Sequence, residues 1–142
     1  MRPVPAPRFG RRRLRLVALA VVMIAGLVPS VAAERGFPYG SELMLDARPM
    51  KGSKRVPMLD IKPRGEVSID LWCNSMQAQF VVAEDTLTVL TGTRTEQQCT
   101  PDRMRADDDL IDALSQVTTW RRDGDALTLR GPKLLRFRLL TH

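Results

Sequence analysis

The sequence predicts an α+β fold, in which a curved antiparallel sheet or partly open β-barrel packs around one helix after a cleaved signal peptide. Three observations predict it. Apolar and polar residues alternate along most of the chain after residue 40, as in strands with one buried face. One segment near residue 110 repeats its apolar residues at helical spacing instead. The first 33 residues have the composition of an export signal.

The N-terminal segment, residues 1–33, has the three parts of a secretory signal peptide. Six arginines without an acidic residue come first, an apolar run covers residues 16–28, and small residues lead up to Ala33. Because about 20 residues are needed to span a bilayer, the run is short for a retained anchor helix, which is the alternative. We expect cleavage after Ala33 and general secretion rather than the twin-arginine route. The product would be periplasmic or secreted, with no stable membrane anchor.

The positive charge of the chain belongs to this leader. The whole chain has 22 Lys and Arg against 16 Asp and Glu, a net charge of +6. Six of the basic residues lie in residues 1–33, which leaves 16 of each sign in the rest. A basic domain would favour nucleic-acid binding. The remaining chain is neutral, so we expect no nucleic-acid partner.

The chain after the leader divides into an extended lead-in, residues 34–40, and one domain, residues 41–142. Alternation predicts strands near Leu43 and Leu59, over residues 67–73, 76–82 and 86–91, from Thr118 onward, and over residues 126–130 and 135–139. Turn residues connect several of them, at Lys62–Gly65, Glu84–Asp85 and Asp123–Gly124. The order of elements is several strands, one helix and three more strands.

The helix is predicted over residues 107–116, after a polar loop at residues 93–105. Leu110, Ala113, Leu114 and Val117 share one face of it. The acidic triplet Asp107–Asp109 would stand at the positive end of the helix dipole, where one carboxylate can cap the first turn. A calcium or magnesium site is the less favoured interpretation of the triplet, because such loops need alternating ligands and glycine.

Two cysteines, Cys73 and Cys99, remain after the leader is removed. In an oxidising compartment they predict one structural disulfide. Two buried free thiols, or a redox thiol, are the alternatives, although neither cysteine lies in a Cys-x-x-Cys motif. The chain has a single histidine, His142, so a zinc ligand set is not expected. We expect no metal and no cofactor.

No set of residues in the sequence points to catalysis. A nucleophile needs a base within hydrogen-bond reach, and the histidine that could serve stands at the end of the sequence. No carboxylate pair stands out from ordinary surface charge, and no phosphate-binding glycine loop is present. We therefore expect a protein that is not an enzyme.

An ordered series of short motifs resembles the META domain family, the family of the heat-shock protein HslJ. The motifs in this series are Pro57–Ile61, Gly65, Cys73–Phe80, Thr95–Cys99, Asp109–Leu114, Val117, Trp120, Asp125–Leu129 and Leu134–Phe137. The series covers roughly residues 41–140. Trp72 and Ala78 replace family glycines, and Gln97 replaces a methionine, as in a diverged member.

The resemblance implies an exported envelope domain connected with heat shock, drug tolerance or motility, without established catalytic activity. The motif positions it transfers to this chain are Cys73, Asn74, Thr95 and Cys99. We expect the two cysteines and the asparagine to be structural.

Two hypotheses about function follow. The first is an exported, non-catalytic META/HslJ-like envelope protein that acts in stress or drug tolerance. The alternative is a periplasmic binding module, inhibitor-like or pilot-like, that takes a partner peptide or a lipid tail. Trp72, Trp120 and Met76, with Met104, are the candidate interaction surface, because aromatic residues and methionine are enriched at interfaces. Ordinary packing is the other interpretation of the tryptophans, and a contiguous apolar groove would favour binding.

Overall fold

The computed structural model describes residues 3–5 and 36–141. Residues 36–141 lie in one compact unit, Val31–His142, whereas residues 3–5 lie in a separate unit, Met1–Ser30, and have no regular secondary structure. The predicted signal peptide therefore falls outside the described residues, apart from residues 3–5.

Eight antiparallel strands and one helix make up the described domain. They are β1 (Ser41–Leu45), β2 (Met58–Ile61), β3 (Glu66–Asp70), β4 (Ser75–Ala83), β5 (Thr86–Arg94), α1 (Pro101–Ser115), β6 (Thr119–Asp123), β7 (Ala126–Arg130) and β8 (Leu134–Leu139). The strands follow one another around a closed barrel in chain order. The predicted α+β class, an antiparallel sheet with one helix, is confirmed. The sheet is a closed barrel rather than a curved sheet or partly open barrel, because β8 returns to pair with β1 through Leu43 and Leu139.

The pairing between β5 and β6 involves the fewest residues of any neighbouring strands in the barrel. Only Thr86 and Thr119 pair there, flanked by backbone hydrogen bonds from Leu87 to Thr118 (3.0 Å) and from Trp120 to Asp85 (2.9 Å). The helix lies between these two strands in sequence and contacts β5. Because the helix separates β5 from β6 in sequence, the sequence does not indicate that these strands pair. Their short pairing nevertheless keeps the sheet continuous around the barrel.

The inward-facing residues of the strands form the core, as their alternation predicts. The largest fully buried side chains are Phe80, Phe137, Leu43, Leu59, Ile61, Ile69, Leu71, Leu87, Leu114, Leu127, Leu129 and Val67. The helix adds Leu110 and Leu114 to the same core. The lead-in contributes as well, because Phe37 is buried and meets Phe80 and Trp120 edge to face.

The helix begins six residues earlier than predicted. Pro101 opens it, since a proline at the first helical position has the required φ and no N–H to satisfy. Thr100 precedes it and makes no side-chain capping bond. The acidic triplet therefore lies in the helix interior and does not cap it, which corrects the sequence prediction. Strand β5 also reaches Arg94, so the loop shrinks to residues 95–100.

Two predicted turns, Lys62–Gly65 and Glu84–Asp85, lie where the sequence places them, whereas the third is Gly124–Asp125, one residue later than predicted. Gly65 closes the first by donating its N–H to the carbonyl of Lys62 (3.0 Å), with a φ of +85°. Pairing of Asp123 with Ala126 leaves a two-residue loop, and Gly124 takes a φ of +58° there. Glycine adopts these angles at little cost because it has no Cβ.

Candidate functional site

The most buried charged group among the described residues is Asp107, on the inward face of α1. Its side chain is 1% exposed. One carboxylate oxygen accepts the backbone N–H of Cys73 (3.0 Å), and the other accepts the backbone N–H of Asn74 (2.8 Å) and its side-chain amide (3.2 Å). A buried carboxylate is tolerated where such donors replace water. Asp107 thus fastens the helix to the turn between β3 and β4.

Asn74 connects the same turn to the loop after β5 through its side-chain amide. Its side-chain oxygen accepts the hydroxyl of Thr95 (2.9 Å) and the backbone N–H of Gln97 (2.7 Å). Thr95 in turn accepts the backbone N–H of Ser75 (3.0 Å). Asn74 therefore joins the turn, the helix and the loop after β5, and its position is 96% shielded from solvent.

The disulfide crosses the same junction. Cys73 and Cys99 are bonded, with their Cα atoms 6.2 Å apart, so the predicted pairing is confirmed. Cys99 stands two residues before α1, and Cys73 stands in the turn rather than within the strand predicted to hold it. The N-terminal half of the helix and the β3–β4 turn are thus tied twice, covalently through Cys99 just before the helix and by hydrogen bonds through Asp107 within it.

Arg55 completes the polar surroundings of the turn from its outer side. Its guanidinium donates to the carbonyl of Cys73 (3.0 Å) and approaches the carboxylate of Asp70 (3.3 Å). Within the described residues, no buried side-chain nitrogen or oxygen lacks a partner. The buried polar side chains of this cluster are therefore all hydrogen-bonded, to one another or to backbone groups.

The three consecutive aspartates point in different directions. Asp107 turns inward, and Asp108 pairs with Arg94 at the end of β5, where the hydrogen bond raises the pKa of the arginine above its ordinary value. Asp109 lines a groove on the outer side of the helix. Among the described residues, no group of three or more His, Cys, Asp or Glu side chains is arranged to hold a metal ion.

The groove is a largely apolar depression beside Trp72, one of the predicted interaction residues. It has a volume of about 440 Å³ and lies between the helix, the loop after β1, the β3–β4 turn and the start of β8. Its apolar lining consists of Ala47, Met50, Trp72, Ala106, Leu110, Ala113 and Leu135. Its charged lining is Arg48, Lys133 and Asp109, none of which forms an ion pair with another described residue.

The structure does not bring the predicted interaction residues together. Trp72 lines the groove, but Met76 is 2% exposed and belongs to the core. Trp120 lies elsewhere, where it packs on Phe37 and donates its indole N–H to the carbonyl of Glu84 (2.9 Å). Met104 is exposed on the helix and does not line the groove. Trp72 alone remains a candidate for this surface.

Sequence reasoning missed Asp107 and Arg55. Asp107 stood in an acidic triplet that suggested capping, although its i, i+3 spacing with Leu110 placed it on the apolar face. Arg55 belongs to no sequence motif that would indicate its contact with the β3–β4 turn. The polar groove residues Arg48 and Lys133 come from two loops that only the closed barrel brings to one place.

Comparisons with known proteins agree with the fold. A family model, described as the META domain, matches residues 40–140. The chain belongs to the META domain family. No curated protein matches it.

Solved structures share the META fold at low sequence identity. One, solved by NMR for a protein from Burkholderia xenovorans, is 15% identical with a TM-score of 0.60, over 73% of this chain and 84% of that one. A second NMR structure is 18% identical with a TM-score of 0.57, over 70% and 89%. These likenesses concern the fold. Cys73, Asn74, Thr95 and Cys99, the motif positions expected from the sequence, lie together at the junction described above.

Proposed function

We propose that this chain is an exported, non-catalytic META-family envelope protein that supports tolerance of stress or drugs by holding a partner peptide in the groove beside Trp72. Three observations support it: the leader-like composition of residues 1–33, the family match, and the groove itself. The groove carries the binding part of the proposal, because a contiguous apolar depression is what separates a binding module from an inert domain.

The lining of the groove favours a peptide that combines apolar and acidic side chains. Its floor is apolar, and its volume falls within the range of ~300–1,000 Å³ that is usual for ligand sites. Arg48 and Lys133 bring two positive charges without an ion-pair partner among the described residues, against the single carboxylate of Asp109. An apolar side chain on the floor, with carboxylates toward the two cations, matches this pattern.

Binding is measured through the tryptophan that lines the groove. The chain has two tryptophans, so Trp120→Phe leaves Trp72 as the sole indole reporter. We expect short acetylated peptides of leucine and glutamate to change its emission, and leucine–lysine or serine–glutamate peptides to do so much more weakly. Laurate serves as the lipid-tail probe, and preferential binding of laurate would contradict the peptide assignment.

Variants in the chain with both tryptophans identify the surface. Measured by calorimetry, Trp72→Ala should weaken binding of the leucine–glutamate peptide roughly tenfold or more, because buried aromatic anchors dominate interfaces. The matched control is Val81→Ala, which truncates an exposed apolar side chain on β4. Equal losses in both variants, or the absence of peptide binding, would overturn the proposal.

The cellular part needs a separate measurement. Cells that lack the protein should be more sensitive to heat or envelope-directed drugs. The wild-type gene should restore tolerance, and a Trp72→Ala gene should not, at equal protein level. A broad substrate screen at neutral pH is expected to find no turnover. Activity lost on replacing one interior Asp, Glu or Cys would show that a catalytic site exists.

A further inference from the structure

The outer face of β6, β7 and β8 carries four arginines. Arg121, Arg130, Arg136 and Arg138 occupy outward strand positions there, with Asp123 beside them. The inward positions of β7 and β8 are Leu127, Leu129 and Phe137, all fully buried. Because side chains alternate along a strand, the residues between them face outward, and three of these six are arginines, at positions 130, 136 and 138.

Strand register assembles the arginines around one threonine. Arg121 of β6 and Arg136 of β8 are the two cross-strand neighbours of Thr128 on β7. Arg130 lies two residues along β7, on the same face. Neighbouring strands are about 4.8 Å apart, so the three guanidinium groups can reach a common point above the threonine hydroxyl.

A depression of about 240 Å³ lies at this point. Arg121, Thr128, Arg130 and Arg136 line it, together with Asp123 and Ala126. Arg121 and Arg130 have no ion-pair partner among the described residues, and Arg136 approaches Asp46 only to 3.8 Å. Asp123 offsets one of the three charges. The remaining excess favours an anion, and guanidinium groups match the geometry of phosphate oxygens.

Exposed apolar side chains flank these arginines on the same face. Leu134 is 67% exposed and pairs with Arg130 across β7 and β8, and Met44 is 37% exposed and pairs with Arg138 across β1 and β8. Arg138 also meets Asp46 at 3.4 Å. Arginines interspersed with exposed apolar groups are typical of surfaces that rest on anionic lipid headgroups. A soluble phosphate ligand would give no reason for the exposed leucine and methionine.

We propose that the outer face of β6–β8, with Met44 of β1, docks onto an anionic phospholipid surface. A headgroup phosphate occupies the depression over Thr128, held by Arg121, Arg130 and Arg136. Leu134 and Met44 enter the interfacial region beside it. This attachment is peripheral and reversible, and it is independent of the peptide proposed for the groove.

The test is co-sedimentation with vesicles of phosphatidylglycerol and phosphatidylcholine, compared with phosphatidylcholine alone. The protein is expressed from its complete gene, and intact mass defines its N-terminus. Wild-type protein should bind the anionic vesicles and release them at high salt. Arg121→Gln with Arg130→Gln should weaken binding about fivefold for each arginine, roughly 25-fold together. Neither arginine side chain has a hydrogen-bond partner among the described residues, so the fold should survive, as an unchanged urea midpoint would verify.

The matched control removes the same charge elsewhere. Lys51→Gln with Lys54→Gln changes an exposed loop and should leave binding nearly unchanged. Leu134→Ser should weaken vesicle binding without altering any response to inorganic phosphate. Equal losses in the lysine and arginine variants, or equal binding to neutral vesicles, would overturn the proposal. So would saturation of the arginines by inorganic phosphate without vesicle binding, or tighter binding to DNA than to vesicles at the same salt.

Discussion

The carboxylate of Asp107 satisfies the backbone N–H groups of two buried residues, Cys73 and Asn74, and its removal should be costly for that reason. We expect Asp107→Ala to lower the free energy of unfolding by roughly 3 kcal/mol, since an unsatisfied buried donor costs about 1–3 kcal/mol. Urea denaturation measures this. The control is Asp109→Ala, in the same helix and triplet but exposed, which should change stability by less than about 0.5 kcal/mol. Similar losses in the two variants would show that helix charge, and not the buried bonds, accounts for the effect.

Gly65 gives a second prediction at the scale of one residue. A Cβ at this position would stand 2.5 Å from the backbone oxygen of Phe80, and its φ is +85°. We expect Gly65→Ala to destabilise by about 2–4 kcal/mol from strain and overlap together. Gly124→Ala separates the two causes, because its φ is also positive but nothing lies within 4 Å. It should cost about 1 kcal/mol in the same urea melts. Equal costs at both glycines would contradict the steric explanation.

At the scale of elements, the helix N-terminus and the β3–β4 turn depend on one junction with two ties. Replacing Cys73 or Cys99 by Ser should lower the free energy of unfolding by roughly 2–5 kcal/mol, the usual loss in a small exported domain. The double replacement should cost about the same as one, since the two cysteines act as a unit. Thiol labelling of the denatured, unreduced protein, followed by urea melts, measures both effects.

The two ties should also be coupled energetically. With the disulfide removed, the helix N-terminus has more freedom to separate from the turn, so Asp107→Ala should cost less in the Cys99→Ser background than in the wild type. A double-mutant cycle measures the difference. Strict additivity would mean that the disulfide and the carboxylate stabilise different parts of the domain.

The elements themselves were largely predictable, and the exceptions have physical causes. Apolar alternation locates strands with one buried face, so the segments that became β3, β4 and β7 were evident. The end of β5 was missed because residues 91–94 are exposed on both faces and carry no apolar signal. The sequence does not locate the helix start, because proline is as typical of loops as of the first helical position. Asp107 was missed because its partners are backbone groups far away in sequence, which no local pattern encodes.

At the scale of the whole molecule, both proposed binding sites lie on the outer surface of the barrel. Phe37, Leu110 and Leu114 join the strand residues in the core, so the interior is built from apolar side chains of the strands, the helix and the lead-in. Among the described residues, no helix is both long and apolar enough to cross a membrane. The groove beside Trp72 and the arginine face of β6–β8 lie where loops and outward positions meet, which strand alternation alone does not locate.

Export belongs to this scale as well, because it connects the leader, the charge and the disulfide. Cleavage after Ala33 would remove six arginines and leave 16 residues of each charge. Delivery to an oxidising compartment would permit the bond between Cys73 and Cys99. We therefore expect protein from a periplasmic extract to begin at or near Glu34 and to have no free thiol, as intact mass and thiol labelling would show. A chain expressed in a reducing cytoplasm without residues 2–33 should carry two free thiols and unfold at lower urea. A soluble protein that retains residues 1–33, or equal stability of the oxidised and reduced forms, would contradict this account.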